Sequence, residues 1–304
     1  MSIVDSRWSL GGGKSVVLCT WENAVDPYSV RVRESWSVEA NVLLAASLID
    51  PQTSFFDFGA NIGAFSIPLA LLSGARGVAV EALPRNLQLL ERAILLNGVD
   101  VKVVNGAISD SDGTVFFSGE SAYGHISSQG TGIEVTCFSA DTLVGDLFSG
   151  DIPGLVKVDI EGSELACFSG GKKLFGSQSL RHVIFEANGP HCVANGYMPQ
   201  DLIRVLEGFG FDCFLIDGHT LARRDSRSFQ EFGNCDYLAT RDAHLLDHLP
   251  GYKLGELDES RRIQEIVRAC TGMKPQYAAF MRVQRQRVEL SPSISRQIDH
   301  LFSG

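Results

Sequence analysis

The stretch FFDFGANIGAFSIPLA, residues 55–70, places one acid and two glycines between two apolar runs. The first run is typical of a buried strand and the second of a helix. Glycines at such a turn let the backbone come close to a ligand and adopt positive φ, and the first turn of a helix offers free N–H groups. This order of elements predicts a nucleotide-binding turn that contains Gly59, Asn61 and Gly63.

The acid in this stretch, Asp57, helps to distinguish between the kinds of nucleotide cofactor that the turn could bind. A dinucleotide fold shows GxGxxG because a pyrophosphate sits on the helix end. That spacing is absent here, and Asp57 lies two residues before Gly59. A carboxylate at this place would repel phosphate and would suit a ligand with an amino group, such as the methionine end of S-adenosylmethionine.

A second acid lies where a ribose would be bound. Glu81 ends the next apolar run, 22 residues after Gly59, and an acid about 20 residues past the turn accepts hydrogen bonds from ribose hydroxyls. A third run ends at Asn105-Gly106-Ala107, where a small side chain leaves room for adenine. The expected cofactor-binding residues are Asp57, Gly59, Asn61, Gly63, Ser66, Glu81, Ala82, Gly106, Ala107 and Asp159.

Short apolar β runs alternate with helical stretches from about residue 53 onward, which predicts a parallel sheet with crossover helices. The predicted strands of this sheet are residues 53–58, 77–82, 101–108, 154–160 and 182–189. Residues 113–140 favour a β ribbon with a loop around His125. Two further strands, 211–217 and 235–242, are expected to pair antiparallel.

The two ends of the chain carry weaker signals. Residues 1–50 are predicted to form an N-terminal extension or cap, with a glycine turn, a short strand and a helix capped by Ser37. Residues 51–242 form the main domain, and residues 243–304 are predicted to add a helical extension.

Composition limits the possible classes of protein. The formal net charge of the 304-residue chain is −10, which disfavours nucleic acid as a partner. The seven cysteines are scattered without a CxxC pair, which favours reduced thiols over a disulfide framework or a zinc site. No apolar run approaches the ~20 residues of a membrane span, and the N-terminus lacks a signal-peptide pattern. A cytoplasmic location is therefore expected, and a homo-oligomer stays open.

Several segments together resemble the FkbM-type S-adenosylmethionine-dependent methyltransferases over about residues 50–240. They are DFGANIGAFS, VAVEALP, NGAISDSDGTVFF, ADTL and LVKVDIEGSELACFSGG, of which KVDIEGSE is the most specific. The chain departs from the family where many members have proline directly after the acid, since Ala82 stands there.

The resemblance implies an α/β, Rossmann-like class I methyltransferase fold. Its seven-stranded, mostly parallel sheet would end in a reversed hairpin. The N-terminal and C-terminal helical additions are expected from the sequence pattern, since the resemblance says little about residues 1–45 and 243–304. The resemblance also implies S-adenosylmethionine as cofactor and methylation of a hydroxyl oxygen on a small-molecule acceptor, either a sugar or a natural product.

Methyl transfer needs the acceptor oxygen close to the methyl carbon and a group that eases loss of the hydroxyl proton. The expected catalytic residues lie at the carboxyl ends of the fourth and fifth strands: Asp159, Glu161, Glu186 and, a few residues later, His191. Two mechanisms stay open. One of these side chains acts as general base, or Asp159 and Glu186 with a third oxygen ligand hold Mg²⁺.

Two other functions compete with this interpretation. A nicotinamide-dependent Rossmann oxidoreductase would use a related sheet, but the missing GxGxxG and the presence of Asp57 weigh against it. A non-catalytic homologue would keep the cofactor fold without turnover, and the acids at positions 57, 81, 159 and 161 weigh against such decay.

Overall fold

The computed structural model describes residues 2–119, 124–127, 130–147, 150–227 and 233–255. Most of the predicted C-terminal helical extension lies outside the described residues. Its described part, residues 243–255, holds a 3₁₀ turn at Leu245–His248 and a short strand rather than a long helix.

The described residues contain fifteen strands and nine α-helices. The strands are β1 (Ile3–Gly11), β2 (Lys14–Trp21), β3 (Phe55–Phe58), β4 (Gly77–Glu81), β5 (Val101–Asn105), β6 (Ala107–Ser109), β7 (Gly113–Ser118), β8 (His125–Ile126), β9 (Ile133–Ser139), β10 (Leu155–Val158), β11 (His182–Asn188), β12 (Asp212–Asp217), β13 (Thr220–Arg224), β14 (Asn234–Thr240) and β15 (Lys253–Leu254). The helices are α1 (Pro27–Glu34), α2 (Ala40–Leu48), α3 (Ser66–Ser73), α4 (Pro84–Asn97), α5 (Ala140–Thr142), α6 (Glu164–Gly170), α7 (Lys172–Gly176), α8 (Gly189–Ala194) and α9 (Pro199–Gly208). A π-helical turn at Leu143–Leu147 follows α5 directly.

The central sheet has the strand order β15-β13-β12-β14-β11-β10-β3-β4-β5. Strands β3, β4, β5, β10 and β11 are parallel, as predicted, and β14 runs antiparallel to both β11 and β12. The predicted antiparallel pairing of the last two strands is thus seen between β12 and β14. Two short strands at the edge, β13 and β15, extend the expected seven strands to nine.

The sheet is buried on both faces, which explains why its strands read as nearly continuous apolar runs. Successive side chains of β3 point to opposite faces. Phe55 therefore packs in one apolar layer, while Phe56 and Phe58 pack in the other. Asp57 is completely buried between them. Because the five central strands are parallel, their carboxyl ends meet at one edge, where open α/β sheets bind ligands.

The predicted third strand divides at Gly106. Residues 101–105 stay in the central sheet as β5, whereas residues 107–109 leave it as β6. Gly106 lies so close to Phe138 that a Cβ would approach its ring to 2.6 Å. Strand β6 joins a second sheet of order β6-β9-β7-β8, in which β7 and β9 pair antiparallel as the predicted ribbon.

The N-terminal segment is a β hairpin followed by two helices. The glycine turn and β2 agree with the sequence, but β1 was not predicted, and the prediction of Ser37 as a cap is wrong because α2 begins at Ala40. The side chain of Asn97 in α4 bonds to both the N–H and the C=O of Val17, at 2.8 and 2.7 Å. This pair of bonds fastens the hairpin to the main domain.

None of the helices in the described ranges is long and apolar enough to cross a membrane.

Candidate active site

A cavity of about 410 Å³ opens at the carboxyl edge of the central sheet. Ligand sites commonly have volumes of about 300–1,000 Å³. Most of the predicted site residues line it: Gly59, Asn61, Glu81, Ala82, Gly106, Ala107, Asp159, Glu161 and Glu186. Four predicted residues are outside this lining: Asp57, Gly63, Ser66 and His191.

Two halves of the cavity differ in chemistry. The turn half comprises Gly59, Asn61, Glu81, Gly106 and Ala107, and the acidic half comprises the four carboxylates of Asp159, Glu161, Glu186 and Asp236.

The turn half begins where β3 ends. Gly59, Asn61 and Gly63 all have positive φ, at 82°, 51° and 87°. A Cβ on Gly59 would lie 1.9 Å from the backbone oxygen of Asp159, so the turn can pack against the end of β10 only with glycine there. A Cβ on Gly63 would instead meet Ile67 and Leu90 at 2.6 and 2.8 Å. Gly63 therefore serves the packing of the helices beneath the turn.

Glu81 organises the turn from the neighbouring strand. Its Oε2 accepts a hydrogen bond from the Asn61 N–H at 2.8 Å, and its Oε1 accepts from the Leu83 N–H at 2.9 Å and from Asn86 Nδ2 at 3.2 Å. The residue is 6% exposed, and this burial raises the pKa of its carboxyl. Since each carboxylate oxygen can accept two hydrogen bonds, Oε2 keeps one acceptor position for a ligand.

The far end of the turn half is apolar and small. Ala82, Gly106 and Ala107 line this part of the cavity, together with Phe117 and Ile126 from the ribbon. The sequence did not single out these two ribbon residues, because no local pattern shows that the ribbon borders the cavity. Small residues beside an aromatic and an aliphatic side chain form a slot for a flat ring.

Asp57 lies beneath the cavity as part of a buried ionic chain. Ser66 Oγ donates to Asp57 Oδ2. Lys157 Nζ lies 3.5 Å from Asp57 Oδ1 and 3.0 Å from Asp159 Oδ2. Lys157 and Asp57 face each other because β10 and β3 pair in that register. Direct contact between Asp57 and a ligand stays a prediction. Of the two carboxylates in this ionic chain, the one that lines the cavity is Asp159.

Burial affects the pKa of both Asp57 and Lys157 in this ionic chain. It raises the pKa of Asp57, although Lys157 and Ser66 oppose the shift. Burial alone would lower the pKa of Lys157, but the charges of Asp159 and Asp57 outweigh it, and the net shift is upward. Lys157 therefore remains an ammonium group that fixes Asp159.

The acidic half brings together acids from neighbouring strands. Glu186 and Asp236 are direct partners across β11 and β14. Burial raises the pKa of Glu186, and the nearby charges of Asp159, Glu161 and Asp236 add to the shift. Burial and Asp159 also raise the pKa of Asp236 to about 7, against the opposing effect of Lys157 and a hydrogen bond from Asn41.

Asp236 was missed by sequence reasoning. The available signal was weak: a single acid within an otherwise mostly apolar strand, NCDYLAT. Its position beside Glu186 depends on a strand pairing between residues far apart in the chain.

Glu161 has an unusual backbone for its residue type, with φ of +54°. Such a conformation of a non-glycine residue costs on the order of 1–3 kcal/mol and is concentrated at functional sites. Its Oε2 lies 2.9 Å from His191 Nδ1. That hydrogen bond raises the pKa of His191, whose side chain is 40% exposed and outside the cavity lining.

A buried acid fastens the loop that carries Glu161. Glu164 Oε1 accepts from the N–H groups of Ile160 and Gly162 at 3.0 and 3.2 Å. The Tyr197 hydroxyl lies 2.8 Å from Glu164 Oε2 and 3.0 Å from the Gly162 carbonyl. The last acid of the KVDIEGSE segment thus shapes the loop, while Asp159 and Glu161 face the cavity.

The N-terminal segment closes one side of the cavity. Its contributions are Tyr28, Arg31, Glu39 and Asn41. Arg31 pairs with Glu39 at 2.6 Å and lies over the ring of Tyr28 at 5.4 Å. None of these four residues was predicted, because the sequence of this segment carries no recognisable site motif.

The predicted magnesium site gains no support from the geometry. Within the described ranges, no group of three or more His, Cys, Asp or Glu residues is arranged to hold a metal ion. The acids of the cavity are instead joined to Lys157, His191 and Asn41.

These features define a class I methyltransferase fold, the fold of S-adenosylmethionine-dependent enzymes. The sequence profile of the FkbM methyltransferase domain matches residues 57–213, more than half of the chain. The chain therefore belongs to the FkbM methyltransferase family, which confirms the resemblance noted in the sequence.

Solved structures provide distant likenesses. Precorrin-6y C5,15-methyltransferase from Geobacter metallireducens is 12% identical with a TM-score of 0.43, over 73% of this chain and 95% of that one. The 16S rRNA N2 G1207 methyltransferase from T. thermophilus is 13% identical with a TM-score of 0.42, over 79% and 51%. Fibrillarin from Methanococcus jannaschii is 10% identical with a TM-score of 0.38, over 79% and 98%. No curated protein matches the chain.

Proposed function

We propose that the protein transfers a methyl group from S-adenosylmethionine to a hydroxyl oxygen of a small-molecule acceptor, a sugar or another natural product. One observation carries the proposal: a single cavity is lined both by the glycine turn with Glu81 and by the four carboxylates of the acidic half. The two reactants of a methyl transfer must meet in one enclosed space.

The turn half fits the cofactor. Gly59 lets the backbone approach closely, and the free acceptor position of Glu81 suits a ribose hydroxyl. Asn61 Oδ1 is buried and has no hydrogen-bond partner among the described residues, so a bound donor would satisfy it. Ala82, Gly106 and Ala107 leave space for adenine. The cofactor supplies an electrophilic methyl carbon on a sulfonium centre.

The acidic half fits a hydroxyl acceptor. An alcohol is a weak nucleophile, so transfer needs a group that accepts its proton. Asp159 is the proposed base, because Lys157 holds its Oδ2 at 3.0 Å and the residue lines the cavity at the end of β10. Because its pKa is raised, Glu186 is protonated and neutral. In that form its carboxyl O–H can donate a hydrogen bond to the acceptor. His191 does not line the cavity and would influence the acceptor only through Glu161, with which it pairs.

The proposal is tested by methyl transfer from labelled S-adenosylmethionine to a panel of glycosides and natural-product alcohols. The mass of each product and the position of its label are measured. We expect one methyl group on an oxygen, and transfer that persists after exhaustive chelation of metal ions. A methyl group on nitrogen or carbon would contradict the acceptor chemistry.

Binding experiments separate the competing functions. Calorimetry with S-adenosylhomocysteine should show a defined site, whereas a titration with NADH should show none. Preferred binding of NADH would favour an oxidoreductase. Tight binding of S-adenosylhomocysteine, with no transfer to any acceptor, would favour a non-catalytic homologue.

A further inference from the structure

We infer that the N-terminal segment and the acidic half together form an acceptor wall that takes a neutral or cationic polyhydroxylated compound and rejects an anionic one. The acceptor wall comprises Arg31, Glu39 and Asn41 from the segment, with the four carboxylates and Lys157. The inference rests on the proposed function, since it concerns the acceptor of that same site.

The first line of evidence is the distribution of charge. Five acidic side chains of the acceptor wall line the cavity, those of Glu39, Asp159, Glu161, Glu186 and Asp236. Glu186 is neutral because its pKa is raised, so the negative charge of the wall comes from the other four. The two cations of the wall are already paired, Arg31 with Glu39 and Lys157 with Asp159. An anionic acceptor would meet like charges without a free cation in the wall to offset them, and like-charge contacts suppress binding.

The second line of evidence is the side chain of Asn41. It is 5% exposed and lines the cavity. Its Nδ2 donates to Asp236 Oδ2 at 3.0 Å, while its Oδ1 has no hydrogen-bond partner among the described residues. A buried carbonyl oxygen without a partner favours a ligand that brings a donor. Hydroxyl and ammonium groups are donors, whereas a carboxylate or phosphate dianion offers only acceptors.

The third line of evidence is that Asn41 fixes the orientation of Asp236. The groups that face Asp236 are Asp159 and Lys157 near the end of β10, Glu186 on β11, and Glu39 and Asn41 at the start of α2. Among these, Asn41 provides the neutral hydrogen bond that directs the carboxylate without cancelling its charge. Asn41 is thus a positioning residue for the acceptor wall.

Three matched sugars test the inference. They are methyl α-glucopyranoside, its 2-amino analogue and its uronate analogue, which share a ring and differ in charge. Their binding to the protein in complex with S-adenosylhomocysteine is measured by saturation-transfer NMR. We expect the amine to bind at least about tenfold more tightly than the uronate, with the neutral sugar between them. Equal or tighter binding of the uronate, or no binding of any of the three, would overturn the inference.

Variants show whether the named residues cause the selection. At pH 8, above the pKa of about 7 of Asp236, Asp236→Asn keeps an acceptor for Asn41 but removes the charge, so the ratio between amine and uronate should fall below about threefold. Asn41→Ala should weaken all three sugars without changing the affinity for S-adenosylhomocysteine, and Asn41→Gln should restore part of the loss. Ser47→Ala, an exposed change on the same helix, is the control. An unchanged ratio in Asp236→Asn would contradict the inference.

Parallel assays with labelled S-adenosylmethionine separate this inference from the proposed function. If the amine binds most tightly and the uronate least, but no hydroxyl is methylated, the proposed function is refuted while the inference about the acceptor wall is supported. Methyl transfer that prefers the anionic sugar would support a methyltransferase and refute the acceptor wall.

Discussion

The turn half and the acidic half of the cavity are built in opposite ways. The turn half lies at the ends of β3, β4 and β5, and the carboxylate of Glu81 binds backbone N–H groups of Asn61 and Leu83 there. The acidic half is assembled from three separate parts of the chain, and burial together with neighbouring carboxylates raises the pKa of Glu186 and of Asp236. The turn half thus offers fixed hydrogen-bonding groups with open acceptor positions on Glu81 and Asn61, whereas the acidic half concentrates buried carboxylates that repel one another.

The largest effect is expected in the acidic half. Asp159→Asn keeps the hydrogen bond to Lys157 but cannot accept a proton, so kcat for methyl transfer should fall about 10²- to 10⁴-fold. The affinity for S-adenosylhomocysteine, measured by calorimetry, should change little. If kcat stays at the wild-type value, Asp159 is not the base.

The turn half is tested by adding a Cβ at Gly59, where the backbone of β10 lies close. Gly59→Ala would place a methyl group 1.9 Å from the Asp159 carbonyl oxygen, and we expect a loss of about 100-fold in affinity for S-adenosylhomocysteine, or about 2.7 kcal/mol. Gly98→Ala is the matched control, because Gly98 also has positive φ but open space around it. Equal losses in both variants would show that strain in φ, and not the close approach, matters.

The carboxylate of the turn half should have a smaller effect. Glu81→Gln replaces an acceptor oxygen with an NH₂ group that faces a donor, so binding of S-adenosylhomocysteine should weaken about 10- to 30-fold, or about 1.4–2 kcal/mol. Calorimetry with Glu91→Gln, an exposed change on α4, provides the reference. Wild-type affinity in Glu81→Gln would speak against a bond to ribose.

The loop beneath the acidic half should respond mainly in stability. Tyr197→Phe removes the hydroxyl beside Glu164 and Gly162 and should lower the free energy of unfolding by about 1 kcal/mol. Chemical denaturation is the measurement, and Tyr252→Phe serves for comparison. No loss of stability would mean that Glu164 holds the loop without help from Tyr197.

Asp236 should also make the stability of the protein depend on pH. Its pKa is about 7 in the folded protein, against an ordinary 3.8. Between about pH 4 and pH 7 the unfolded chain has lost this proton while the folded chain keeps it, so stability falls as pH rises through this window. Asp236→Asn removes the penalty and should raise Tm by a few degrees more at pH 8 than at pH 5.

Asp100→Asn, an exposed change, is the control for this measurement. A Tm difference in Asp236→Asn that is the same at both pH values would show that Asp236 titrates normally.

The sequence predicted the turn half better than the acidic half. Gly59, Asn61 and Glu81 stand in an order and at spacings that are read locally, and the alternation of elements predicted the parallel sheet around them. Asp236 and Asn41 meet across 195 residues of chain, and no local pattern records such a contact.

Other features depended on contacts that no local pattern encodes. The glycine motif predicts that Asp57 faces the ligand. The motif alone cannot show that Lys157 lies opposite Asp57 in the register of β3 and β10. Likewise, Glu164 and Asp159 are both acids of one segment, and only the folded loop distinguishes the one that shapes the loop from the one that faces the cavity.

The match to the family ends at residue 213, yet Asn41 and Asp236 lie on either side of it. An exchange of residues 57–213 between two relatives would therefore move the cofactor half of the cavity but divide the proposed acceptor wall, since Arg31, Glu39, Asn41 and Asp236 would stay behind. Hybrid proteins made at those boundaries should therefore differ from both parents in the acceptor they prefer, which makes the flanking segments a target for redesign.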